Sequence, residues 1–259
     1  MRRKKALVTG ASGGIGLELA TLLAARDHDL VLVARSASTL ERVARELRSR
    51  HGVAVQPLAR DLSLPDAPAQ VFDEVGDVDV LINNAGFATY GKFLQNDIHA
   101  ELEQLRLNIV TLTHLTHLFT SGMARRRSGC VLNVASTAAF APGPLMAVYY
   151  ASKAYVLSFS AAVAEEIVRC GVTVTCLCPG PTVTGFQQRA NMENARSFRA
   201  GAADAASVAR AGYDGMMRGQ RIVIPGTRNR ALAMAARITP LWLLTKVAKQ
   251  MNESSPKYT

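Results

Sequence analysis

Seven short apolar runs rich in β-branched residues alternate with helix-like segments, and this alternation most constrains the fold. The helix-like segments include Gly14–Arg26, Thr39–His51 and Asp97–Arg125. The apolar runs are Ala6–Thr9, Leu30–Ala34, Val53–Leu58, Val78–Ile82, Cys130–Ala135, Val172–Cys178 and Arg221–Ile224. Strands separated by helices run parallel in one sheet, which the helices cover on both faces. The sequence therefore predicts an α/β fold with a doubly wound parallel sheet of about seven strands.

No stretch rich in Pro, Gly and Ser interrupts the alternation, so a single domain is expected. Residues 1–226 contain all the predicted strands and form the predicted main domain. Residues 227–259 are basic and apolar, which predicts a helical tail packed on the same domain, as one helix or as two interrupted at Pro240.

The net charge of +10 favours acidic partners, namely nucleic acid, an anionic membrane or a phosphate-bearing ligand. The basic clusters Arg2–Lys5, Arg125–Arg127 and Arg228–Arg230 are short and have no aromatic residues between them. Solvated surface explains each of them, and nucleic-acid binding is the weaker alternative. No segment reaches the roughly 18 apolar residues of a membrane helix, and the basic N-terminus lacks the apolar core of a secretory leader.

Four cysteines without a CxxC pair do not form a disulfide framework: Cys130, Cys170, Cys176 and Cys178. Reduced thiols suit a cytoplasmic protein. No metal site is predicted.

The segment ALVTGASGGIG is the strongest local feature, because glycines follow the first strand and a helix begins there. Gly10, Gly13, Gly14 and Gly16 let the backbone turn tightly and approach a phosphate closely. The helix points free N–H groups and its positive dipole end at the anion. Ser12 and Thr9 add hydroxyl groups. In this context the loop predicts a dinucleotide site in a Rossmann-type fold.

The residue after the second strand distinguishes the two nicotinamide cofactors. An acidic residue there accepts a hydrogen bond from the ribose of NAD, whereas an arginine accommodates the 2′-phosphate of NADP. The sequence has Arg35 and no carboxylate, so NADP(H) is preferred, with NAD(H) as the second candidate. The alternative is that Arg35 only begins a surface loop. Asp61 and Leu62, after the third strand, either border the adenine or begin the next turn.

Three tyrosines surround a single lysine in VYYASKAY. Residues four apart share a helix face, and only Tyr149 stands four before Lys153. A nearby ammonium stabilises the phenolate and lowers the tyrosine pKa, which suits acid–base chemistry. Tyr149 is therefore the candidate acid, and Tyr150 and Tyr155 are assigned to packing.

Polar residues follow other predicted strands at the sheet edge where ligands of such folds bind. Ser136 ends one strand, Asn83 and Asn84 end another, and Pro179, Gly180 and two threonines follow a third. Asn108 lies within a long apolar helix, where a satisfied structural amide is the more usual role.

These motifs together resemble the short-chain dehydrogenase/reductase family over residues 4 to 226. The matching elements are the loop from Thr9 to Gly16, Asn83–Gly86, Asn108, Ser136, the pair Tyr149 and Lys153, and Pro179, Gly180 and Thr184. The family's basic residue before the second loop glycine is absent, since Gly13 stands there, so Arg35 alone supports NADP preference. The C-terminal segment is similar to a branch that includes acyl-chain ketoreductases and broad carbonyl reductases.

The resemblance implies a mechanism and a set of site residues. Tyr149 exchanges a proton with the carbonyl oxygen, Ser136 hydrogen-bonds that oxygen, Lys153 lowers the tyrosine pKa, and Asn108 holds a water for proton relay. The implied cofactor residues are Gly10, Ser12, Gly13, Gly14, Ile15, Gly16, Arg35, Asp61, Leu62, Asn84, Ala85, Gly86, Asn108, Tyr149, Lys153, Pro179, Gly180, Thr182 and Thr184. It also implies a homodimer or homotetramer built around the helices at 97–125 and 148–170.

The predicted pocket walls are mostly apolar, which favours a small hydrophobic ketone or alcohol, or an acyl chain, over a sugar. Besides Ser136 and Tyr149 they comprise Ala138, Phe140, Leu145 and Phe186. The sequence thus predicts an NADP-dependent carbonyl reductase or alcohol dehydrogenase. The alternative is a nucleotide-binding sensor or scaffold without turnover that docks an acidic partner or a membrane surface.

Overall fold

The computed structural model of the chain describes residues 3–185 and 201–253. Within them, seven parallel strands form one sheet in the order β3-β2-β1-β4-β5-β6-β9. The strands are β1 (Lys5–Thr9), β2 (Asp29–Ala34), β3 (Val55–Ala59), β4 (Val80–Asn83), β5 (Gly129–Val134), β6 (Val172–Leu177) and β9 (Ile222–Val223). Two short strands, β7 (Thr182–Val183) and β8 (Ala203–Asp204), pair separately. The seven predicted strands are confirmed, with ends shifted by at most two residues.

Nine α-helices lie in the described part of the chain. They are α1 (Gly14–Ala24), α2 (Ala37–His51), α3 (Ala67–Val75), α4 (Ile98–Leu105), α5 (Leu112–Arg126), α6 (Ala147–Ile167), α7 (Ala205–Met217), α8 (Thr227–Ala236) and α9 (Leu241–Asn252). The tail thus forms two helices, and Pro240 directly precedes the second, where a missing N–H costs no helical hydrogen bond.

The helix predicted over Asp97–Arg125 is not continuous. A π-helical segment, Arg106–Thr111, separates α4 from α5. Such wide turns occur mostly as single insertions and often lie at functional sites. Asn108 is in this segment.

The sheet buries apolar side chains on both faces, because successive residues of a strand point in opposite directions. In β1, Val8 packs with Leu19 of α1 on one face, and Leu7 packs with Phe119 of α5 on the other. Helices α1, α2 and α7 cover the first face, and α3, α5 and α6 cover the second. This double coverage explains why the central strands read as continuous apolar runs.

A buried polar network crosses the centre of the second face. Asn83 Nδ2 donates to Asn133 Oδ1 at 2.9 Å and to Thr116 Oγ1 at 3.0 Å, and Asn133 Nδ2 donates to Ser160 Oγ at 3.0 Å. These bonds join β4 and β5 to α5 and α6. They hold the carboxyl ends of β4 and β5 in register, with Asn83 directly opposite Asn133.

Candidate active site

A cleft of about 540 Å³ opens at the carboxyl edge of the sheet. The strand order reverses between β1 and β4, and ligands of open α/β sheets bind at such a switch point. Most of the predicted site residues line this cleft. They are Gly10, Ser12, Gly13, Gly14, Ile15, Arg35, Asp61, Leu62, Asn84, Ala85, Gly86, Ser136, Ala138, Tyr149, Lys153, Pro179, Gly180, Thr182 and Thr184.

The glycine loop is tightly built against β4. Gly10 has a φ of +66°, and a Cβ there would lie 2.7 Å from the Asn84 side-chain nitrogen. Asn84 Nδ2 donates to the carbonyl oxygens of Thr9 and Gly10, at 3.0 and 3.2 Å. The hydroxyl of Thr9 accepts from the backbone N–H groups of Asn84 and Ala85. The Asn84 side chain therefore shapes the loop as well as lining the cleft.

Other loop glycines are needed for close approach. A Cβ at Gly16 would overlap the Gly10 carbonyl, so Gly16 lies behind the cleft surface and permits the tight turn. Gly14, with a φ of +56°, lies against Thr184, where a Cβ would be 2.9 Å from Cγ2. At Gly13 a Cβ would meet no atom within 4 Å, so its side faces the open cleft. At Gly13 and Gly14 the loop thus presents backbone without a side chain at the start of α1.

The cleft also carries Arg35, predicted to bind the 2′-phosphate, and Asp61, predicted to border the adenine or to begin the next turn. Arg35 follows the last residue of β2, is exposed and lines the cleft. Asp61 Oδ1 accepts from the backbone N–H and the hydroxyl of Ser63, at 3.0 and 2.7 Å. Burial raises the pKa of Asp61, but these hydrogen bonds and the nearby Arg35 guanidinium outweigh that effect and leave the pKa below its usual value. Asp61 thus closes the turn and also lines the cleft.

Tyr149, Ser136 and Lys153 meet at the inner end of the cleft. Tyr149 is 9% exposed, and its hydroxyl group hydrogen-bonds with the Ser136 side chain. Ser136 Oγ also accepts from the backbone N–H of Ala138 at 3.1 Å. Lys153 Nζ donates to the carbonyl oxygen of Val134 at 2.9 Å and lies 5.7 Å from the centre of the Tyr149 ring. The spacing on α6 therefore brings the phenol and the ammonium together, as expected from residues four apart.

Burial shifts both ionisable groups toward their neutral forms. It raises the pKa of Tyr149 well above its usual value, partly offset by the hydrogen bond with Ser136, and the neighbouring Tyr150 raises it further. Burial lowers the pKa of Lys153 to about 8. The predicted lowering of the Tyr149 pKa by Lys153 is thus outweighed, because desolvation of a buried phenolate costs more than the ammonium returns. Tyr149 is protonated at neutral pH.

Asn108 lies behind the cleft surface. Its Nδ2 donates to the carbonyl oxygen of Phe87 at 3.0 Å and to Ser152 Oγ at 3.1 Å, and its Oδ1 accepts from the Phe87 backbone N–H. A Cβ on Gly86 would lie 2.8 Å from Asn108 Oδ1 and 3.6 Å from Lys153 Nζ. Asn108 is therefore a satisfied buried amide that adjoins the lysine, and its water relay stays a prediction.

Three predicted pocket residues are not brought to the cleft or lie outside the described residues. Phe140 packs against an apolar cluster around Val156 and Cys176, because the 3₁₀ turn over Thr137–Phe140 directs it into the protein. Leu145 has a φ of +69°, which turns the chain so that Met146, the next residue, lines the cleft instead. Phe186 lies outside the described residues.

Several cleft residues were missed by the sequence reasoning. Tyr150, assigned to packing, also lines the cleft and donates from its hydroxyl to Asn252 Oδ1 at 3.0 Å. Met251 and Asn252 reach the cleft from the end of α9. No sequence signal links them to Tyr149, because the contact depends on how the tail folds back. Tyr155 hydrogen-bonds with Thr113 and stacks on Phe159, consistent with packing.

A cleft at the switch point, a glycine-rich loop at the start of α1 and a Ser–Tyr–Lys cluster together define an α/β protein with a site of the Rossmann type. The family described as short chain dehydrogenase matches residues 4–195, and the chain belongs to that family.

Three similar proteins illustrate its range. A very-long-chain 3-oxoacyl-CoA reductase of Pyrenophora tritici-repentis is 38% identical over 180 residues, covering 66% of this chain and 53% of that protein. The chain thus matches about half the length of this curated relative. A short-chain dehydrogenase from Sphingobium yanoikuyae, solved in complex with NADPH, is 31% identical with a TM-score of 0.83, covering 98% of this chain and 100% of that one. The bulky-bulky ketone specific alcohol dehydrogenase from Comamonas testosteroni is 26% identical with a TM-score of 0.78, covering 100% and 99%.

No helix among residues 3–185 and 201–253 is long and apolar enough to cross a membrane.

Proposed function

We propose that this protein is an NADP-dependent oxidoreductase that reduces a ketone or 3-oxoacyl group to a secondary alcohol, or catalyses the reverse reaction. The observation that carries the proposal is the cluster that the buried Tyr149 and Lys153 form with Ser136 in the cleft. The relatives named as a 3-oxoacyl-CoA reductase and a ketone-specific alcohol dehydrogenase support the choice of a carbonyl substrate.

The protein's own groups would handle the proton. A bound nicotinamide nucleotide supplies or accepts the hydride. The Tyr149 phenol, kept protonated by burial, donates its proton to the carbonyl oxygen, which the Ser136 hydroxyl positions. The Lys153 ammonium lies close enough to stabilise the phenolate that this transfer leaves. The apolar neighbours Ala138 and Met146 exclude water and favour a small hydrophobic substrate.

A Tyr149→Phe variant tests this function, since it removes only the hydroxyl. We expect NADPH-linked reduction of aryl ketones and 3-oxoacyl thioesters to fall at least about 100-fold, the scale of a general-acid contribution. NADPH binding, followed by nucleotide fluorescence, should persist. Tyr155→Phe on the same helix is the matched control and should retain activity. Full activity in Tyr149→Phe would show that the assignment is wrong.

We propose that NADP(H) is preferred because Arg35, which directly follows β2, lines the cleft and no acidic residue occupies the end of β2. The NADPH complex of the Sphingobium relative supports this choice. Arg35→Asp should weaken NADPH binding at least about tenfold, the effect of about 1.4 kcal/mol, and improve NADH binding. Arg45→Asp, on the exposed face of α2, makes the same charge change away from the cleft and should leave both affinities within about twofold. An unchanged preference in Arg35→Asp would exclude the 2′-phosphate role.

We further propose a homodimer or homotetramer built around the helical segments at 97–125 and 148–170, which comprise α4, the π-helical segment, α5 and α6. Exposed apolar side chains in and beside these helices support it, with Val110 58%, Tyr155 37% and Val168 46% exposed. Light scattering after gel filtration measures the mass, and a monomer at micromolar concentration would contradict the proposal.

The proposal also places the protein in the cytoplasm, with residues 1–226 as one domain that carries the tail. All four cysteines are free, which suits a reducing compartment. Cell fractionation tests the cytoplasmic location. A single cooperative unfolding transition would support the proposal that the tail and residues 1–226 form one domain.

A further inference from the structure

The last turn of α9 is held against the candidate active site by a buried polar junction. Asn252, the final residue of α9, is 1% exposed. Its Oδ1 accepts from the Tyr150 hydroxyl at 3.0 Å, and its Nδ2 donates to the carbonyl oxygen of Pro144 at 3.0 Å. Its own carbonyl oxygen accepts from the Tyr90 hydroxyl at 2.8 Å. One residue thus joins three segments that are distant in sequence.

These three segments support the wall of the cleft next to Tyr149: Tyr150 lines the cleft, and Tyr90 packs against the same apolar cluster as Tyr149. The loop at 90–91 is tied to the loop at 143–145 by the Gly91 N–H, which donates to the Leu145 carbonyl at 2.9 Å. The Tyr150 ring lies directly on Gly143, where a Cβ would overlap it. The same ring meets that of Tyr149 edge-on, with 6.2 Å between centroids and an interplanar angle of 76°. The orientation of Tyr150 therefore affects the space beside the catalytic phenol.

Asn252 is the buried member of the junction, whereas Tyr150, Tyr90 and Pro144 are half-buried. Burial nevertheless raises the pKa of the Tyr150 phenol, so its hydroxyl is neutral. A neutral, partly buried hydroxyl is most stable with an acceptor, and the Asn252 side chain supplies one. Without that side chain the Tyr150 hydroxyl and the Pro144 carbonyl would both lose a partner, so the helix end and the tyrosine would adopt new positions.

Resting on the proposed function, we propose that Asn252 is a specificity-determining positioning residue. It seats the end of α9 so that Met251, Asn252 and Tyr150 form a fixed wall beside Tyr149. This wall limits the size of the larger substituent on the substrate carbonyl. The residue acts through Tyr150 and the 143–145 loop, and it takes no part in proton or hydride transfer.

Kinetics with two ketones of different size test the proposal. Wild type, Asn252→Ala and Tyr150→Phe are assayed with an aryl methyl ketone and a diaryl ketone at saturating NADPH. In both variants the ratio of kcat/KM for the diaryl ketone to that for the methyl ketone should rise at least about tenfold, mainly through KM. The dissociation constant of NADPH should stay within about twofold. Gln250→Ala, exposed on the same helix, is the control and should keep the wild-type ratio.

Two further measurements distinguish a displaced cleft wall from a general loss of protein stability in the variants. Trypsin cleavage after Lys249 reports whether the helix end is seated, and it should be faster in Asn252→Ala than in Gln250→Ala. The ratio of kcat/KM values should change no more in the Asn252→Ala/Tyr150→Phe double variant than in Asn252→Ala alone, because both substitutions remove the same hydrogen bond between Tyr150 and Asn252. Ratios within about twofold of wild type in both single variants would overturn the proposal. Wild-type protein that reduces no ketone would overturn the proposed function and this inference together, whereas an active wild type with unchanged ratios overturns this inference alone.

Discussion

Replacing Lys153 by methionine should stabilise the protein at neutral pH while removing its activity. Lys153 is 6% exposed, and burial lowers its pKa from 10.5 to about 8. At about 1.4 kcal/mol per pKa unit, this shift means that burying the charged form costs about 3 kcal/mol. The hydrogen bond to the Val134 carbonyl stabilises the folded protein by about 1 kcal/mol. Lys153→Met should therefore raise the free energy of unfolding by about 2 kcal/mol near pH 7.

The effect should depend on pH in a defined direction. Below about pH 8 the lysine is charged in both states, and the folded protein bears the full cost of burial. Between about 8 and 10.5 the folded state has released the proton that the unfolded state still holds, so wild-type stability rises with pH. Near pH 9.5 the free-energy cost of burying Lys153 is smaller by about 2 kcal/mol. Lys153→Met and wild type should therefore have about the same free energy of unfolding there.

Urea unfolding of the protein without added nucleotide, near pH 7 and near pH 9.5, measures this difference. Lys92→Met, at an exposed position, is the matched control for loss of a lysine and should show no pH-dependent gain. Ketone reduction by Lys153→Met should drop at least about 100-fold, because the phenolate loses its neighbouring cation. A stability difference that is the same at both pH values would refute the reasoning.

Two other substitutions test how the site is supported. Gly10→Ala should destabilise the protein by about 2 kcal/mol or more, since a side chain is strained at a φ of +66° and the new Cβ would lie 2.7 Å from Asn84. The control is Gly13→Ala, whose Cβ has open space around it and which should unfold at nearly the wild-type urea midpoint. Equal losses of stability in the two variants would contradict this argument. Asn83→Ala should lower the free energy of unfolding by about 2 kcal/mol in the same assay, because the buried Asn133 Oδ1 loses its hydrogen-bond donor. A decrease under about 0.5 kcal/mol would show that the fold does not require the polar network.

Local patterns in the sequence were sufficient to predict the fold and the meeting of Tyr149 with Lys153. The strands followed from short apolar runs rich in β-branched residues, and the helices from the segments between these runs. The helical spacing of Tyr149 and Lys153 depends on one element alone, which is why it placed these two side chains together correctly. The glycine loop could be predicted for the same reason, since its residues are consecutive in the sequence.

The tertiary structure decided the features that join distant segments. The choice of Met146 over Leu145 depends on one positive φ, and the position of Asn108 depends on a π-helical turn that the apolar pattern does not reveal. The raised pKa of Tyr149 depends on the burial produced by all its neighbours. Asn252 and Tyr150 are 102 residues apart, and their hydrogen bond exists only because α9 folds back onto the cleft. Local sequence thus determined which groups could do the chemistry, and long-range packing, which no local pattern encodes, decided the walls around them.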